Sequence, residues 1–316
     1  MLVNGQWQEK WQPVQARDDV GRFVRQSSQF RNWVTIDGTP GPAGVGGFKA
    51  EPDRYHLYVA LICPWASRTL MVRKLKQLDS LIPVSIVEPV LTEHGWRFGD
   101  YPGASFDRIS DATYLHELYT RADPTYSGRA TVPVLWDQQK RTIVNNESAD
   151  IVRMLNSAFD HLTGNTLNLY PDEMTHDIEA LNEQIYTTLN NGVYQAGFAS
   201  SQQAYDEAYD NVFGMLDSLE ARLADGRRFV LGENMTETDI RLFVTLVRFD
   251  LAYHGLFKCN RNLLAQMPQL CAYVHRIRTL PGIAETVSEE HIKSGYYSIR
   301  ALNPSGIVPN GPVPLM

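Results

Sequence analysis

Cysteine is scarce in this 316-residue chain, with only Cys63, Cys259 and Cys271. Three scattered thiols cannot build a disulfide framework, so a reducing, cytoplasmic setting is expected. No Cys-x-x-Cys or His-x-x-x-His pair is present to start a tetrahedral metal site, and no metal is expected. Long apolar runs are also missing. Nothing approaches the ~20 residues of a membrane span, and the polar start, Met1 to Lys10, has no signal-peptide core. Nor is there a Lys/Arg block: 29 basic side chains face 36 acidic ones for a net charge of −7, which argues against a nucleic-acid partner.

What the chain does have is the balance of a globular protein, 43% hydrophobic and 21% charged, at a length that suggests two domains. Residues 1–53 read as an irregular N-terminal extension. Within it, the Gly/Pro-rich run 38–47 resembles a phosphate loop only superficially. Phe48-Lys49-Ala50 follows where Gly-Lys-Ser/Thr opening a helix is required, so a surface loop is expected and no nucleotide.

From residue 54 the pattern becomes α/β. Arg54 to Leu61 reads as a buried strand, and Pro64 opens a helix with Leu70, Met71, Leu75 and Leu78 apolar against polar Arg68, Arg73, Lys74 and Lys76. Strands are expected over Ile82–Val87, Thr131–Trp136 and Thr142–Val144. A polar insertion is read at 88–128 and a helix from about Ser148 to Phe159. These elements make an α/β domain over 54–160. From Asp172 only helical periodicity remains, over about 173–195, 202–224, 237–252 and 268–279. A helical domain is therefore read over 172–316, ending in a proline-rich wrapping tail with Pro304, Pro309, Pro312 and Pro314.

Three features carry chemistry. Cys63-Pro64-Trp65 lies where a strand hands over to a helix. Proline suits the first helical position, and the preceding sulfur then faces unpaired N–H groups and the positive helix end, which favours thiolate. The competing reading is a buried, inert cysteine. Thr131-Val132-Pro133-Val134 places proline in an apolar strand. Either a cis bond turns the Val132 backbone towards an extended peptide ligand, or the segment is an edge strand with a trans proline. Glu147-Ser148 before Ala149-Asp150-Ile151 offers a hydroxyl and free helix N–H groups to a carboxylate, unless Ser148 is merely a cap.

Together and in this order, Cys-Pro-Trp, Val-Pro and Glu-Ser resemble the cysteine-type glutathione transferases. Thr236-Glu237-Thr238-Asp239 is similar to the capping box of their helical domain. The likeness extends to Phe30-Arg31-Asn32-Trp33, Asp53 to Tyr58, Cys63 to Ala66, Asn190 to Gly197, Asp239 to Leu242, Val247 to Asp250 and Asn303 to Gly306. In these the chain resembles the xi class, the glutathionyl-hydroquinone reductases, over nearly its whole length. Ser67 departs from relatives that carry another polar residue there, such as histidine.

The resemblance implies a thioredoxin-like N-terminal domain, a helical glutathione-transferase C-terminal domain and a homodimer. It implies that glutathione is substrate and reductant in the reduction of glutathionyl-quinone conjugates. Cys63 becomes the nucleophile. Trp96 and Arg129, Ala130, Thr131 and Val132 would hold glutathione, with Glu147 and Ser148 at its γ-glutamyl end. Tyr194 would donate a proton to the hydroquinone, and Tyr253 and Tyr296 would lie near the sulfur and favour its ionisation. Cys259 and Cys271 read as structural. An omega-like thioltransferase or dehydroascorbate reductase shares the Cys63 chemistry. A non-catalytic glutathione-binding scaffold would have no need of the thiol.

Overall fold

The computed structural model describes residues 1–9 and 16–312. Parts of the expected N-terminal extension (10–15) and tail (313–316, with Pro314) lie outside the described residues. The first half carries β1 (Leu2–Val3), β2 (Gln6–Trp7), β3 (Ala16–Arg17), β4 (Phe23–Val24), β5 (Tyr55–Val59), α1 (Pro64–Leu75), β6 (Val84–Ile86), α2 (His116–Ala122), β7 (Val134–Asp137), β8 (Thr142–Asn145) and α3 (Ser148–Ser157). The remainder is helical: α4 (Asp160–Thr163), α5 (Thr175–Ile185), α6 (Gly192–Gly197), α7 (Gln202–Leu223), α8 (Glu237–Arg248), α9 (Pro268–Arg278) and α10 (Glu289–Tyr297). The chain divides into two compact units. One is built from Ser27–Leu167 with the N-terminal residues and Glu285–His291. The other takes Asn168–Ala284, the chain from Ile292 and a segment ending at Gln26.

The first unit centres on a four-stranded sheet in the order β6-β5-β7-β8, with β5 parallel to β6 and antiparallel to β7, and β7 antiparallel to β8. The central strand β5 is buried at every position, as a strand covered on both faces must be, and α1 packs with α3. Polar side chains in and beside β5 bond to neighbouring elements. Arg54 donates to Asp137 at 2.6 and 3.0 Å, Tyr55 to the Lys49 carbonyl at 2.7 Å, and Tyr58 to Asp107 at 3.0 Å, while His56 pairs with Ser85 at 2.8 Å. Within the run Asp53 to Tyr58, Arg54 and His56 thus tie the strand region to β7 and β6, and Tyr58 ties it to the segment carrying Asp107.

His56 supplies a pH-dependent prediction. Burial lowers its pKa from 6.5 to about 4, so protonation favours the unfolded chain. The stability gained from a neutral ring is complete above pH 6.5 and is lost as pH falls from there towards 4, by up to about 3 kcal/mol. Urea denaturation at pH 7 and pH 4.5 should show a smaller loss in His56→Gln than in the parent. An identical loss in both would assign the acid sensitivity to other groups.

Two sequence expectations change. The positions of the first helix read as polar are in part interior: Arg68, Arg73 and Lys76 are buried. Arg73 reaches the Ile82 carbonyl at 2.5 Å and Asp79 at 2.8 Å, and Lys76 pairs with Asp160 at 2.8 Å and with the Leu167 carbonyl. Partners distant in sequence make burial of these cations tolerable. The N-terminal extension, expected to be irregular, contains two ribbons, β1-β2 and β3-β4, whose two-residue strands are too short to show a period. The 38–47 run is a loop closed by the Gly47 N–H on the Gly38 carbonyl at 2.7 Å, with Val45 exposed at its tip.

In the second unit, π-type turns follow α5 (Tyr186–Asn190) and α8 (Phe249–Tyr253). The capping box at Thr236 is formed: the Thr236 N–H donates to Asp239 at 2.8 Å, and Asp239 also accepts from the Val230 N–H and the Tyr273 hydroxyl. α10, which carries Tyr296, was not expected from the periodicity. Among the described residues no helix is long and apolar enough to cross a membrane.

Candidate active site

Cys63 is the N-cap residue of α1, with Pro64 in the first helical turn. Its side chain makes no capping bond, so the half-buried sulfur stands at a helix start with its amides near it. The chain is held there by the Cys63 N–H on the Ala60 carbonyl at 3.0 Å and by the Ser67 N–H on the Cys63 carbonyl at 3.0 Å. Ser67, the departure from relatives, adds its hydroxyl to the same carbonyl at 3.1 Å, a local brace. Cys63 Sγ lies 3.7 Å from the Val132 carbonyl oxygen. The Val132–Pro133 bond is cis, which excludes the trans-proline reading.

In the first unit the buried hydroxyl of Tyr119 links Thr131 to Asn146, the residue before Glu147. It donates to the Thr131 carbonyl at 2.7 Å, accepts from the Thr131 N–H at 3.1 Å and accepts from the Asn146 side chain at 3.1 Å. One phenol therefore ties the segment Arg129–Val132 to the approach of α3. Burial holds its pKa above the usual tyrosine value, keeping it protonated.

At α3 the cap is Glu147, not Ser148. The Glu147 carboxylate accepts from the Ala149 N–H at 3.2 Å and from the Ser28 hydroxyl at 3.0 Å, while Ser148 is the first helical residue and is buried. The Phe30 to Trp33 run braces this start from outside. Arg31 grips Asp150 through two nitrogens at 2.5 and 3.0 Å, and the Phe30 backbone exchanges bonds with Asn146. Trp96 is half-buried after a tight turn closed by Thr92 and Gly95, itself fixed by the Trp7 indole on the Glu93 carbonyl at 3.0 Å. Arg129 and Ala130 are half-buried, and the Arg129 carbonyl accepts from Tyr126 at 3.1 Å.

Because Tyr119 carries three bonds without touching the sulfur, Tyr119→Phe isolates positioning from chemistry. It should cost about 1–3 kcal/mol of stability and raise KM for glutathione more than it lowers kcat. Kinetics at varied glutathione would show this, and an unchanged KM would remove Tyr119 from the site's support.

In the second unit the three predicted tyrosines meet. The hydroxyls of Tyr194 and Tyr296 are 2.6 Å apart, and those of Tyr253 and Tyr296 are 2.9 Å apart. Tyr253 and Tyr296 are buried, and desolvation pushes both phenols well above their usual pKa, so they remain neutral donors. Tyr194 is half-buried and forms the less enclosed end of this hydroxyl chain.

The Asn190 to Gly197 motif builds that end. Asn190 anchors it to α8 through the Arg241 carbonyl at 2.9 Å and the Thr245 hydroxyl at 2.7 Å. Gly197 allows close approach of Phe257, since a Cβ there would lie 2.4 Å from the Phe257 ring. Tyr119 and Ser28 were missed in the sequence because their partners are remote and no local spacing marks them. Cys259 is buried with its thiol pushed up to about 12, which makes it inert at neutral pH. Among the described residues no group of three or more His, Cys, Asp or Glu is placed to hold a metal ion.

Comparison with known proteins gives the family. The glutathione S-transferase N-terminal domain model matches residues 62–158, and the C-terminal domain model matches 202–276. The glutathionyl-hydroquinone reductase YqjG of Escherichia coli K12 is 50% identical over 98% of this chain and 94% of its own. PcpF of Sphingobium chlorophenolicum, of the same name, is 45% identical over 99% and 96%. The glutathione-bound structure of YqjG superposes with a TM-score of 0.91, covering 99% of this chain and 95% of that one at 48% identity. Glutathione S-transferase Xi from Phanerochaete chrysosporium also gives 0.91, at 42% identity over 98% and 99%. The chain belongs to the glutathione S-transferase family, in its xi class, that of the glutathionyl-hydroquinone reductases.

Proposed function

We propose that this protein reduces glutathionyl-hydroquinones to hydroquinones at the expense of glutathione. Cys63 thiolate attacks the glutathione sulfur of the conjugate, forming a Cys63–glutathione disulfide as the carbon–sulfur bond breaks. The electron pair left on the aromatic carbon takes a proton from Tyr194, releasing hydroquinone. A second glutathione, as thiolate, attacks the glutathione sulfur of the mixed disulfide, giving oxidised glutathione and free Cys63. The aromatic carbon gains the two electrons that two thiols lose.

In this reading glutathione lies along Arg129, Ala130, Thr131 and Val132 with Trp96 over it. Its γ-glutamyl end sits at Ser148 and Glu147, where the positive end of α3 favours a carboxylate. Tyr253 and Tyr296 serve as neutral donors that favour the thiolate. Relatives named glutathionyl-hydroquinone reductases support the reading. The observation that carries it is the tyrosine hydroxyl chain ending at half-buried Tyr194. Carbon protonation needs such an acid, whereas disulfide exchange by an omega-like thioltransferase or dehydroascorbate reductase does not. A scaffold would need neither the acid nor the thiol.

Turnover on a glutathionyl-hydroquinone, measured beside dehydroascorbate and a small disulfide, tests the assignment. Activity confined to the last two would overturn it. Two expectations accompany the enzyme: a homodimer, read by sedimentation velocity, and a reducing, cytoplasmic setting consistent with its three free cysteines.

A further inference from the structure

We propose that Arg25 is a positioning residue for the proton-transfer step, acting on Tyr194. Arg25 follows β4 in the second unit. Its guanidinium carbon lies 4.9 Å from the centre of the Tyr194 ring and 5.1 Å from that of buried Phe23. Its Nε donates to the Asn191 side-chain oxygen at 3.0 Å, three residues before Tyr194 in the same Asn190 to Gly197 run. The cation is therefore fixed at both ends, against a ring wall and on an amide, with the Tyr194 ring beneath it.

Giving up its proton converts the Tyr194 ring from a neutral phenol into a delocalised anion. A guanidinium over the ring is attracted weakly by the phenol's quadrupole and more strongly by the phenolate. The interaction grows as the proton leaves, which is the condition for a group to speed a step rather than merely hold its reactant. Within the second unit, Tyr296 engages the Tyr194 hydroxyl at the rim of the ring while Arg25 covers its face. The ring also packs with Tyr253, Phe257 and Phe198, and a phenolate formed there has a fixed cation over it. Arginine suits the place better than lysine because its flat group lies against two rings while its Nε keeps the Asn191 bond.

The inference rests on Tyr194 being the acid, and the test separates the two. Turnover is measured on a glutathionyl-hydroquinone and on 2-hydroxyethyl disulfide, with thermal unfolding recorded for each variant. Arg25→Met should lower the conjugate-to-disulfide ratio of kcat by about tenfold. Arg25→Lys should recover part of the loss, and Asn191→Ala, which loosens the guanidinium without removing it, should give a smaller fall and serves if Arg25→Met does not fold. In a Tyr194→Phe background, Arg25→Met should lower the ratio no further. A selective loss in Tyr194→Phe with an unchanged ratio in Arg25→Met would sink the role of Arg25 alone. Equal loss on both substrates in Arg25→Met would make it structural. Full conjugate turnover in Tyr194→Phe would instead remove Tyr194 as the acid, and with it the premise for Arg25, while leaving the proposed reduction standing.

Discussion

Cys63→Ala is expected to reduce turnover of glutathionyl-hydroquinones to the uncatalysed background while leaving a folded protein. The loss is complete because both half-reactions pass through one sulfur: it attacks the conjugate and then holds glutathione until the second thiol arrives. The fold should tolerate the change. Cys63 is half-buried and its side chain makes no capping bond, so truncation should cost no more than about 1 kcal/mol. Cys63→Ser keeps the size and the helix start but offers an un-ionised hydroxyl, and should be nearly as inactive. Intact mass after treatment with oxidised glutathione gives an independent reading. The parent should gain one glutathione and Cys63→Ala none, since Cys259 is buried with its thiol pushed up to about 12. An adduct on Cys63→Ala would point to half-buried Cys271 and would remove Cys63 as the sole acceptor. Near-normal turnover in that variant would end the mechanism.

The strand–helix junction at Cys63 was legible because each of its signals is local. An apolar aromatic run makes β5, and proline fixes the first turn of α1, so the residue between them is forced to a helix start. Val132-Pro133 was half-legible: sequence marks an interrupted strand but not the isomer. What stayed hidden depends on contacts distant along the chain. Tyr119 looked like one aromatic among several in an insertion, yet its partners Thr131 and Asn146 make it the link between the strand and α3. Arg25 lay in what read as an irregular extension, and only packing within the second unit sets it over Tyr194. Lys76 counted as part of a polar face because Asp160 and Leu167, which answer its charge, are far along the chain. Glu147 and Ser148 were both named, but which of them caps α3 depends on backbone angles and on Ser28, outside any short motif. α10 is short and contains Gly295, so its apolar positions carry little periodic signal.

Tyr194→Phe should divide the two chemistries that Cys63 supports. Loss of the hydroxyl should slow hydroquinone release by about 10²–10⁴-fold, the usual worth of a positioned general acid. Exchange with 2-hydroxyethyl disulfide should persist, because a thiolate leaving group needs no proton on carbon. Structural damage should be small: the ring keeps its contacts with Phe198 and Phe257, and what is lost is the hydroxyl, whose bonds include the 2.6 Å contact with Tyr296. Tyr296 retains Tyr253 at 2.9 Å, so the buried pair remains satisfied. Because the departing carbon must take its proton from somewhere, solvent becomes the donor in the variant, and a larger solvent isotope effect on conjugate turnover should accompany the slower rate. Stopped-flow measurement of hydroquinone release beside formation of the Cys63–glutathione disulfide distinguishes the steps. Equal loss on both substrates would make Tyr194 a packing residue, and the hydroxyl chain would then belong to the fold rather than to the chemistry.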